Sequence, residues 1–378
     1  MVRLVLPLLL VLLSLLTVFK APANFLWKVQ IALTEFPWIP MLATLVLFVT
    51  CFWLEKYKTV ALLLSGIAFL LFCAPIIRAY MRAENLHEEL NTAFPSDPQS
   101  DTEQAFSFSG MFSSQDETEH RELNYKTVNG KNLSLDFYPA TIPDTATADG
   151  KAPCVIVIHG GSWSSGDNKQ FMEWNSWMTQ LGFNVAAINY RLAPEFKSPA
   201  QVEDVRDAIL FLKSQRDLNI DTNRFVLLGR SAGGQIALCA AYQLNMPEIV
   251  GVISVYAPAD MVWGAEIKGN PLILNTDSVF ADYLGGPYDQ FADKYLEASA
   301  VQHVQPHSPA TLIIHGDNDC MVSFIHSEHL DSALTANNVS HYFLNIPGAT
   351  HACDYNLNGP SGQLMQVAIA QFLSTRKL

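Results

Sequence analysis

Positive charge is scarce in this chain of 378 residues: 23 Lys and Arg residues stand against 36 Asp and Glu residues, which gives a net charge of −13. The deficit lies in the C-terminal part, because residues 1–82 hold seven basic and two acidic residues while the remainder holds 16 and 34. So acidic a domain would repel phosphate, which argues against nucleic acid or anionic lipid as a partner. The N-terminal part differs, since charged residues of either sign are rare there.

Three long apolar runs occupy this N-terminal part, at about residues 4–19, 38–54 and 59–77. None has the polar face of an ordinary surface helix. The third is about as long as a membrane helix needs to be, and the other two are slightly shorter. We therefore predict a membrane region with three spans over residues 1–82.

The orientation of this region follows less directly. Arg3 before the first run favours an N-terminus on the inner side, so that three spans place the C-terminal domain outside the cytoplasm, in the periplasm or at the cell exterior. Basic residues on the two sides nearly tie, which weakens the positive-inside argument. Cleavage of residues 1–23 as a signal peptide is the alternative, and it also leaves the domain outside.

Residues 83–120 lack long apolar runs and are rich in Ser, Asp, Glu and Gln. This composition predicts a flexible acidic linker. The alternative is that Phe106, Phe108 and Phe112 dock on the membrane or on the domain that follows. No internal repeat is visible along the chain.

Beyond the linker, residues 121–378 alternate short apolar strands with helical stretches. This alternation predicts an α/β domain with a mostly parallel sheet and helices on both faces. About 55 residues separate the apolar strands at 250–255 and 310–314, which is long for a connection. We therefore expect a small helical cap at about residues 260–301.

A Gly-x-Ser-x-Gly motif at residues 229–233 follows an apolar run at 224–228 and precedes a helix-forming stretch. In this context the motif is the turn between a buried strand and a helix, where small residues let the backbone approach closely. The turn exposes the hydroxyl of Ser231, and the helix N-terminus favours negative charge beside it. Ser231 is therefore the predicted nucleophile.

A serine nucleophile needs a histidine base that a carboxylate orients. Asp319 and His351 each lie just past a predicted strand. Because active sites of open α/β sheets collect at that edge, we expect both residues beside Ser231. The order serine, acid, histidine is that of the α/β-hydrolases. Asp317 is the alternative acid, and its other interpretation is the capping of a turn.

Attack on an ester carbonyl places negative charge on oxygen, which preorganised N–H donors must stabilise. The strand at 154–158 runs into the glycine-rich turn His159-Gly-Gly-Ser-Trp163. The predicted oxyanion hole comprises Gly160, Gly161, Ser162 and Ala232. Gly160 shapes the turn, and the other three donate their backbone N–H groups.

Five motifs together resemble the hormone-sensitive-lipase-like and acetyl-esterase-like branch of the α/β-hydrolases, over the region from about residue 120 to 378. They are His159-Gly-Gly-Ser-Trp163, Tyr190-Arg-Leu-Ala-Pro-Glu195, Gly229-Arg-Ser-Ala-Gly-Gly234, Asp319-x-x-Val322 and His351. The resemblance implies a serine carboxylesterase that works through an acyl-enzyme. The modest size of the predicted cap favours short- to medium-chain acyl esters as its substrates. A small-molecule ester is the expected partner, and neither a metal ion nor an organic cofactor is expected.

Two other functions stay open. The turn at residues 159–163 also resembles the HGGxW turn of kynurenine formamidases, so an amide hydrolase is the rival enzyme, although the motif at residues 190–195 fits the esterases better. A membrane-tethered binding protein with a vestigial hydrolase fold is the non-enzymatic alternative.

The remaining candidate residues surround these motifs. Arg230 should not be buried without a partner, and Glu203 and Asp204 on the preceding helix are its predicted carboxylates. His326 and His329 lie three apart on a predicted helix, where a solvated face is favoured over a metal site.

Two histidines and two cysteines complete the set. His159 and His315 precede glycine turns and are expected to orient loops. Cys320 and Cys353 flank the acid and the base, so a disulfide between them is conceivable in an oxidising compartment. The oligomeric state stays open.

Overall fold

The computed structural model describes residues 2–54, 56–95, 104–141, 150–267 and 269–376, and within these ranges it contains one eight-stranded sheet. The strands are β1 (Arg121–Val128), β2 (Lys131–Tyr138), β3 (Ala152–Ile158), β4 (Asn184–Ile188), β5 (Ile220–Arg230), β6 (Ile249–Val255), β7 (Ala310–Gly316) and β8 (His341–Ile346). Their spatial order is β1-β2-β4-β3-β5-β6-β7-β8. β2 runs antiparallel to both of its neighbours, and the other neighbouring pairs are parallel.

Helices cover both faces of the sheet, as the alternation of strands and helices predicts. They are α6 (Met172–Gln180), α7 (Ala200–Ser214), α8 (Ala232–Gln243), α12 (Ile325–Ala336) and α13 (Pro360–Ser374). All seven residues of β3 are buried, which is typical of a parallel strand covered on both faces. Its alternate side chains enter two cores: Ile156 packs with side chains of α7 and α8, and Val155 packs with side chains of α6 and α13.

Three short helices occupy the long connection between β6 and β7, where the sequence predicts a cap. They are α9 (Met261–Glu266), α10 (Thr276–Leu284) and α11 (Tyr288–Ala298). Met261, Phe280 and Tyr283 are buried and join the core that contains α7 and α8. The connection therefore packs on the C-terminal edge of the sheet.

Four helices form the N-terminal region: α1 (Val2–Ser14), α2 (Asn24–Glu35), α3 (Trp38–Thr50) and α4 (Lys58–Ala83). In α4, Ala61, Ser65 and Ala68 are buried, a small-residue stripe of the kind that lets helices approach closely. Within the described residues only α4 is long and apolar enough to cross a membrane by itself, and α2 with α3, bent by 83°, qualifies if the pair counts as one span. Three independent spans are thus more than the helix lengths support.

The predicted flexible linker is wrong for much of its length. Helix α5 (Leu86–Ala93) lies there, and Leu86, Leu90, Phe94 and Phe106 are buried in the core beside α13. This docking is hard to predict from the sequence. Leu86, Leu90 and Phe94 are spaced by four and share one helix face, but the residues between them are mostly polar, so the hydrophobic pattern is weak. Phe108 and Phe112 are exposed instead, and residues 96–103 lie outside the described part of the chain.

Candidate active site

Ser231 lies in the tight turn between β5 and α8, with φ 54° and ψ −122°. Its backbone N–H donates to the carbonyl of Val255 at 2.9 Å. A Cβ at Gly229 would lie 2.1 Å from the carbonyl oxygen of Gly233, and a Cβ at Gly233 would lie 2.2 Å from that of Ile158. Both glycines of the motif are therefore required by the backbone that surrounds the turn, and the turn holds Ser231 in a sparsely populated conformation.

The structure brings the three predicted catalytic side chains together. His351 Nε2 lies 3.0 Å from Ser231 Oγ, and His351 Nδ1 lies 2.7 Å from Asp319 Oδ2. Asp319 and His351 are buried, whereas Ser231 is partly exposed. This arrangement gives a serine hydroxyl an adjacent base whose second nitrogen is fixed by a carboxylate.

Asp319 is held from two sides. Its Oδ1 accepts the backbone N–H groups of Met321 and Val322 at 2.7 and 2.9 Å. Its Oδ2 also lies 3.1 Å from Nε2 of His315, whose Nδ1 is 2.7 Å from Ser327 Oγ. Burial alone would raise the pKa of Asp319, but the nearby His351 and the hydrogen bonds from both imidazoles outweigh it and hold the pKa well below its usual range.

Asp317, the alternative acid, lies elsewhere. Its Oδ1 accepts the backbone N–H of Gly348 at 2.6 Å, which closes the turn after β8. The position fits its capping interpretation.

The turn after β3 holds three of the four residues predicted for the oxyanion hole. The N–H of Gly160 donates to Oε1 of Gln170 at 2.9 Å, which fits the role in shaping the turn that the sequence assigns to this residue. Gly161 has φ 127° and Ser162 has φ 52°, and within the described residues no acceptor lies within hydrogen-bonding distance of their N–H groups. Ala232 is the first residue of α8, where the N–H has no intrahelical acceptor. Three of the four predicted positions can therefore donate.

Aromatic side chains fix this turn in place. The ring of His159 stacks on Tyr190 with centroids 4.2 Å apart, and its Nδ1 donates to the carbonyl of Gly160 at 2.8 Å. Trp163 stacks on Tyr283 of α10 at 4.3 Å, and its Nε1 donates to Gln235 at 2.9 Å. The turn is thus locked between the sheet, α8 and the helices above it.

A cavity of about 270 Å³ opens beside Ser231. Its walls come from the turn after β3, from the loop that carries Asp319, and from the connection between β6 and β7. Apolar side chains of that connection dominate the far wall: Trp263, Ile267, Ile273, Leu274, Val279 and Phe280. The cavity suits an apolar group attached to a carbonyl at Ser231.

The predicted partners of Arg230 are wrong. Arg230 is buried and pairs with Asp354, whose other carboxylate oxygen accepts the Tyr256 hydroxyl at 2.5 Å. Glu203 and Asp204 instead bind Arg191, both at 2.9 Å. The side chain of Arg230 points to the sheet face opposite α7. Asp354 lies 124 residues away in the chain, so the sequence pattern does not predict this contact.

The expected solvated helix face is also wrong for His326. Its ring is buried beside Trp263, and Nδ1 accepts the N–H of Asp260 at 3.3 Å. His329 pairs with Asp260 at 2.8 Å. Burial, and secondarily the nearby His315, lower the pKa of His326 to about 3.

Two further predictions concern a metal site and a disulfide bond. Among the described residues, no group of three or more His, Cys, Asp or Glu side chains is arranged to hold a metal ion. Cys320 and Cys353 are free thiols, so the conceivable disulfide is not formed.

The N-terminal region contributes to the site, which sequence reasoning missed. Trp27 Nε1 donates to the carbonyl of His351 at 3.0 Å, and Lys20 Nζ donates to the carbonyl of Asp319 at 2.8 Å. Lys20 and Ala21 also line the cavity. The sequence carries no signal for these contacts, because about 300 residues separate the partners and each uses a backbone carbonyl.

Known esterases share this architecture. The esterase of Pyrobaculum calidifontis superposes with a TM-score of 0.58 at 17% identity, covering 80% of this chain and 99% of that structure. A bacterial heroin esterase superposes with a TM-score of 0.58 at 22% identity, covering 71% of this chain and 87% of that structure. At these identities the likeness establishes the α/β-hydrolase fold.

Sequence relatives are esterases of Mycobacterium tuberculosis. Esterase LipC is 29% identical over 59% of this chain and 58% of its own length, and Esterase LipQ is 26% identical over 65% and 59%. The chain therefore spans less than two thirds of these relatives. The BD-FAE family model matches residues 140–334, which is more than half of the chain, and the protein therefore belongs to the BD-FAE family.

Proposed function

We propose that the protein is a membrane-anchored serine carboxylesterase that hydrolyses short- to medium-chain acyl esters. The observation that carries this proposal is the hydrogen-bonded series from Ser231 through His351 to Asp319, beside a turn whose Gly161 and Ser162 N–H groups make no hydrogen bond to the described residues. A nucleophile, a base, an orienting carboxylate and oxyanion donors are the four parts that acyl transfer needs.

Each part has one role in the proposed mechanism. His351 takes the Ser231 proton through Nε2 as Oγ attacks the ester carbonyl, and Asp319 stabilises the imidazolium that forms. The N–H groups of Gly161, Ser162 and Ala232 stabilise the oxyanion. The imidazolium then protonates the leaving alcohol, and an acyl-enzyme remains. Water, activated by His351, attacks the acyl carbonyl, and the acid leaves as Ser231 recovers its proton.

The size of the cavity supports a limited acyl length. Its volume of about 270 Å³ lies just below the usual range for small-molecule sites, about 300–1,000 Å³. The relatives LipC and LipQ are esterases. Amide hydrolysis uses the same parts, so it remains the rival.

The apolar surface of the N-terminal region supports a membrane anchor. Helix α4 is long enough to cross, and large apolar side chains remain exposed on three helices: Leu8 and Leu12 of α1, Leu42 and Val46 of α3, and Leu63 and Leu70 of α4. Contiguous apolar surface of this kind is costly in water. We place the sheet domain outside the cytoplasm, on the argument that Arg3 before the first apolar helix favours an N-terminus on the inner side.

The test is the substitution Ser231→Ala in the full-length protein. We expect turnover of p-nitrophenyl butyrate to fall by at least about 10⁴-fold with the thermal unfolding midpoint unchanged. The matched control is Ser214→Ala, which removes an exposed hydroxyl at the end of α7 and should leave turnover unchanged. Retained activity in Ser231→Ala would overturn the mechanism, and faster hydrolysis of N-formylkynurenine than of acetyl esters would favour the amide hydrolase.

A further inference from the structure

The mouth of the cavity is partly built by the segment that joins the first apolar helix to α2. In this segment, residues 18–24, Lys20 and Ala21 line the cavity. The N–H of Asn24 donates to the carbonyl of Leu272 at 2.9 Å, and Asn270 donates to the carbonyl of Pro22 at 2.9 Å. The segment is therefore fixed to the connection above the site and forms one edge of the opening.

Next to this segment, the contacts of Thr17 and Arg78 define the level at which the apolar helices separate from the sheet domain. Thr17 Oγ1 donates to the carbonyl of Leu71 in α4 at 2.9 Å, and Arg78 donates to the carbonyl of Thr17 at 2.7 Å. Arg78 lies against Gly348, and Ile76 joins the core of the sheet domain. Helix α1 and the first half of α4 extend from this level, and their large apolar side chains are exposed.

Helix α2 lies at nearly a right angle to α3. It meets α3 at 83°, so α2 runs along the membrane surface when α3 extends into the membrane. Phe25 on α2 is 74% exposed, and Lys28 is exposed as well. An apolar face with a basic flank is typical of a helix that lies in the interface.

Four exposed apolar side chains lie in or next to the segments that form the opening. Phe19 lies within residues 18–24 and Phe25 directly follows them, while Ile267, which lines the cavity, and Leu272 come from the connection between β6 and β7. Leu272 is 69% exposed although its backbone is hydrogen-bonded to Asn24. We call these four residues the apolar collar.

We propose that the cavity opens directly onto the membrane surface and that the substrate is a neutral ester dissolved in the bilayer, whose acyl chain enters between the collar residues. The inference rests on the proposed esterase function. It is carried by continuity: the apolar surface of the helices passes through the collar into the apolar wall of the cavity, with Lys20 and Ala21 at the junction. An acyl chain following this path stays out of water from the bilayer to Ser231.

The test compares two esters on the full-length protein reconstituted in phosphatidylcholine vesicles. The first is 4-methylumbelliferyl acetate, which dissolves in water, and the second is 4-methylumbelliferyl decanoate, which partitions into the vesicles. In the variant Phe25→Ser/Leu272→Ser, we expect the ratio of decanoate to acetate hydrolysis to fall by about tenfold or more, because two apolar contacts with the bilayer are lost.

The matched control is Leu210→Ser/Leu296→Ser, which changes two half-exposed apolar residues on α7 and α11 and should leave the ratio within about twofold of the unmodified protein. Phe25→Trp keeps an aromatic side chain suited to the interface and should retain the ratio. An unchanged ratio in the collar variant, with both esters still hydrolysed, would overturn the membrane entrance and leave the esterase function standing. Failure of the unmodified protein to hydrolyse either ester would instead overturn the proposed function.

Discussion

The N-terminal helices and the sheet domain distribute apolar side chains in opposite ways. Every residue of β3 and β7 is buried, whereas Leu63 and Leu70 of α4 are 62% and 68% exposed. Removal of apolar surface from water stabilises the folded state by about 25 cal/mol per Å², so the sheet domain is stabilised by its own interior, while the N-terminal helices leave large apolar side chains unburied. The two regions therefore differ in burial as well as in charge.

The junction between the regions is polar and lies beside the proposed catalytic residues. Gln30 of α2 accepts the Thr350 hydroxyl at 3.2 Å, and Glu35 accepts the Ser361 hydroxyl at 2.8 Å. Thr350 directly precedes His351, and Ser361 lies in the first turn of α13. The N-terminal helices therefore support the loop of His351, the proposed general base, and pack against the sheet domain.

The prediction with the largest expected effect tests whether the sheet domain alone supplies the proposed catalytic residues. Asp319→Asn should lower kcat by about 10³- to 10⁴-fold, because the amide no longer stabilises the imidazolium of His351. Asp317→Asn is the matched control, and it should lower kcat by less than about fivefold, since its carboxylate only accepts the N–H of Gly348. Steady-state rates on p-nitrophenyl butyrate measure both. Equal losses in the two variants would contradict the assignment of the acid.

Much of the sheet domain could be predicted from the sequence because its signals are local. Ser231, Asp319 and His351 each follow an apolar strand, and parallel strands bring their carboxyl ends to one edge. The partner of Arg230 could not be predicted, and the docking of Phe106 could be given only as an alternative to a flexible linker, since both depend on contacts between residues far apart in the chain. The N-terminal contacts with the site were missed for the same reason: Trp27 and Lys20 bind backbone carbonyls, which every residue offers.

A second prediction tests where the boundary between the regions lies. Phe94 follows α5, is 1% exposed and packs edge-to-face on Phe372 of α13 with centroids 4.9 Å apart. Phe94→Ala should reduce the free energy of unfolding by about 3–5 kcal/mol, the usual cost of removing a buried phenylalanine. Phe108→Ala, at a residue that is 41% exposed, is the control and should cost less than about 1 kcal/mol. Chemical denaturation in detergent measures both. A loss of less than about 1 kcal/mol in Phe94→Ala would mean that this stretch is a flexible linker after all.

The two regions should also respond to pH with opposite sign. Burial raises the pKa of Glu35 in α2 to about 8, against the hydrogen bonds from Ser361 that lower it and with Asp354 adding to the rise. The folded state therefore holds a proton that the unfolded state releases between pH 4.5 and 8, so stability falls as the pH rises through this window. His326 in the sheet domain has a pKa lowered to about 3. The unfolded state binds its proton first, so stability falls as the pH drops below about 6.5.

Unfolding midpoints between pH 5 and 8.5 test this contrast. Between pH 6.5 and 8 only the window of Glu35 applies, so the free energy of unfolding should fall by about 2 kcal/mol as the pH rises. Below pH 6.5 the two windows overlap, and their opposite slopes offset each other. Glu35→Gln should therefore abolish the fall above pH 6.5 and leave a loss of stability toward pH 5, whereas His326→Gln should extend the fall over the whole range from pH 5 to 8. Profiles of the two variants that match the unmodified protein would show that these groups titrate normally in the folded state.

The prediction with the smallest expected effect tests the junction between the N-terminal helices and the sheet domain. Trp27→Phe keeps the ring but removes the indole N–H that donates to the His351 carbonyl at 3.0 Å. Loss of one such hydrogen bond costs about 1 kcal/mol, which corresponds to about a fivefold lower kcat/KM if the bond positions His351 in the transition state. Trp53→Phe, at a residue that is 72% exposed beyond α3, is the matched control and should leave kcat/KM unchanged. A loss of stability in Trp27→Phe without a loss of kcat/KM would mean that α2 only supports the fold. A lower kcat/KM with an unchanged unfolding midpoint would show that the N-terminal region helps to position the catalytic histidine.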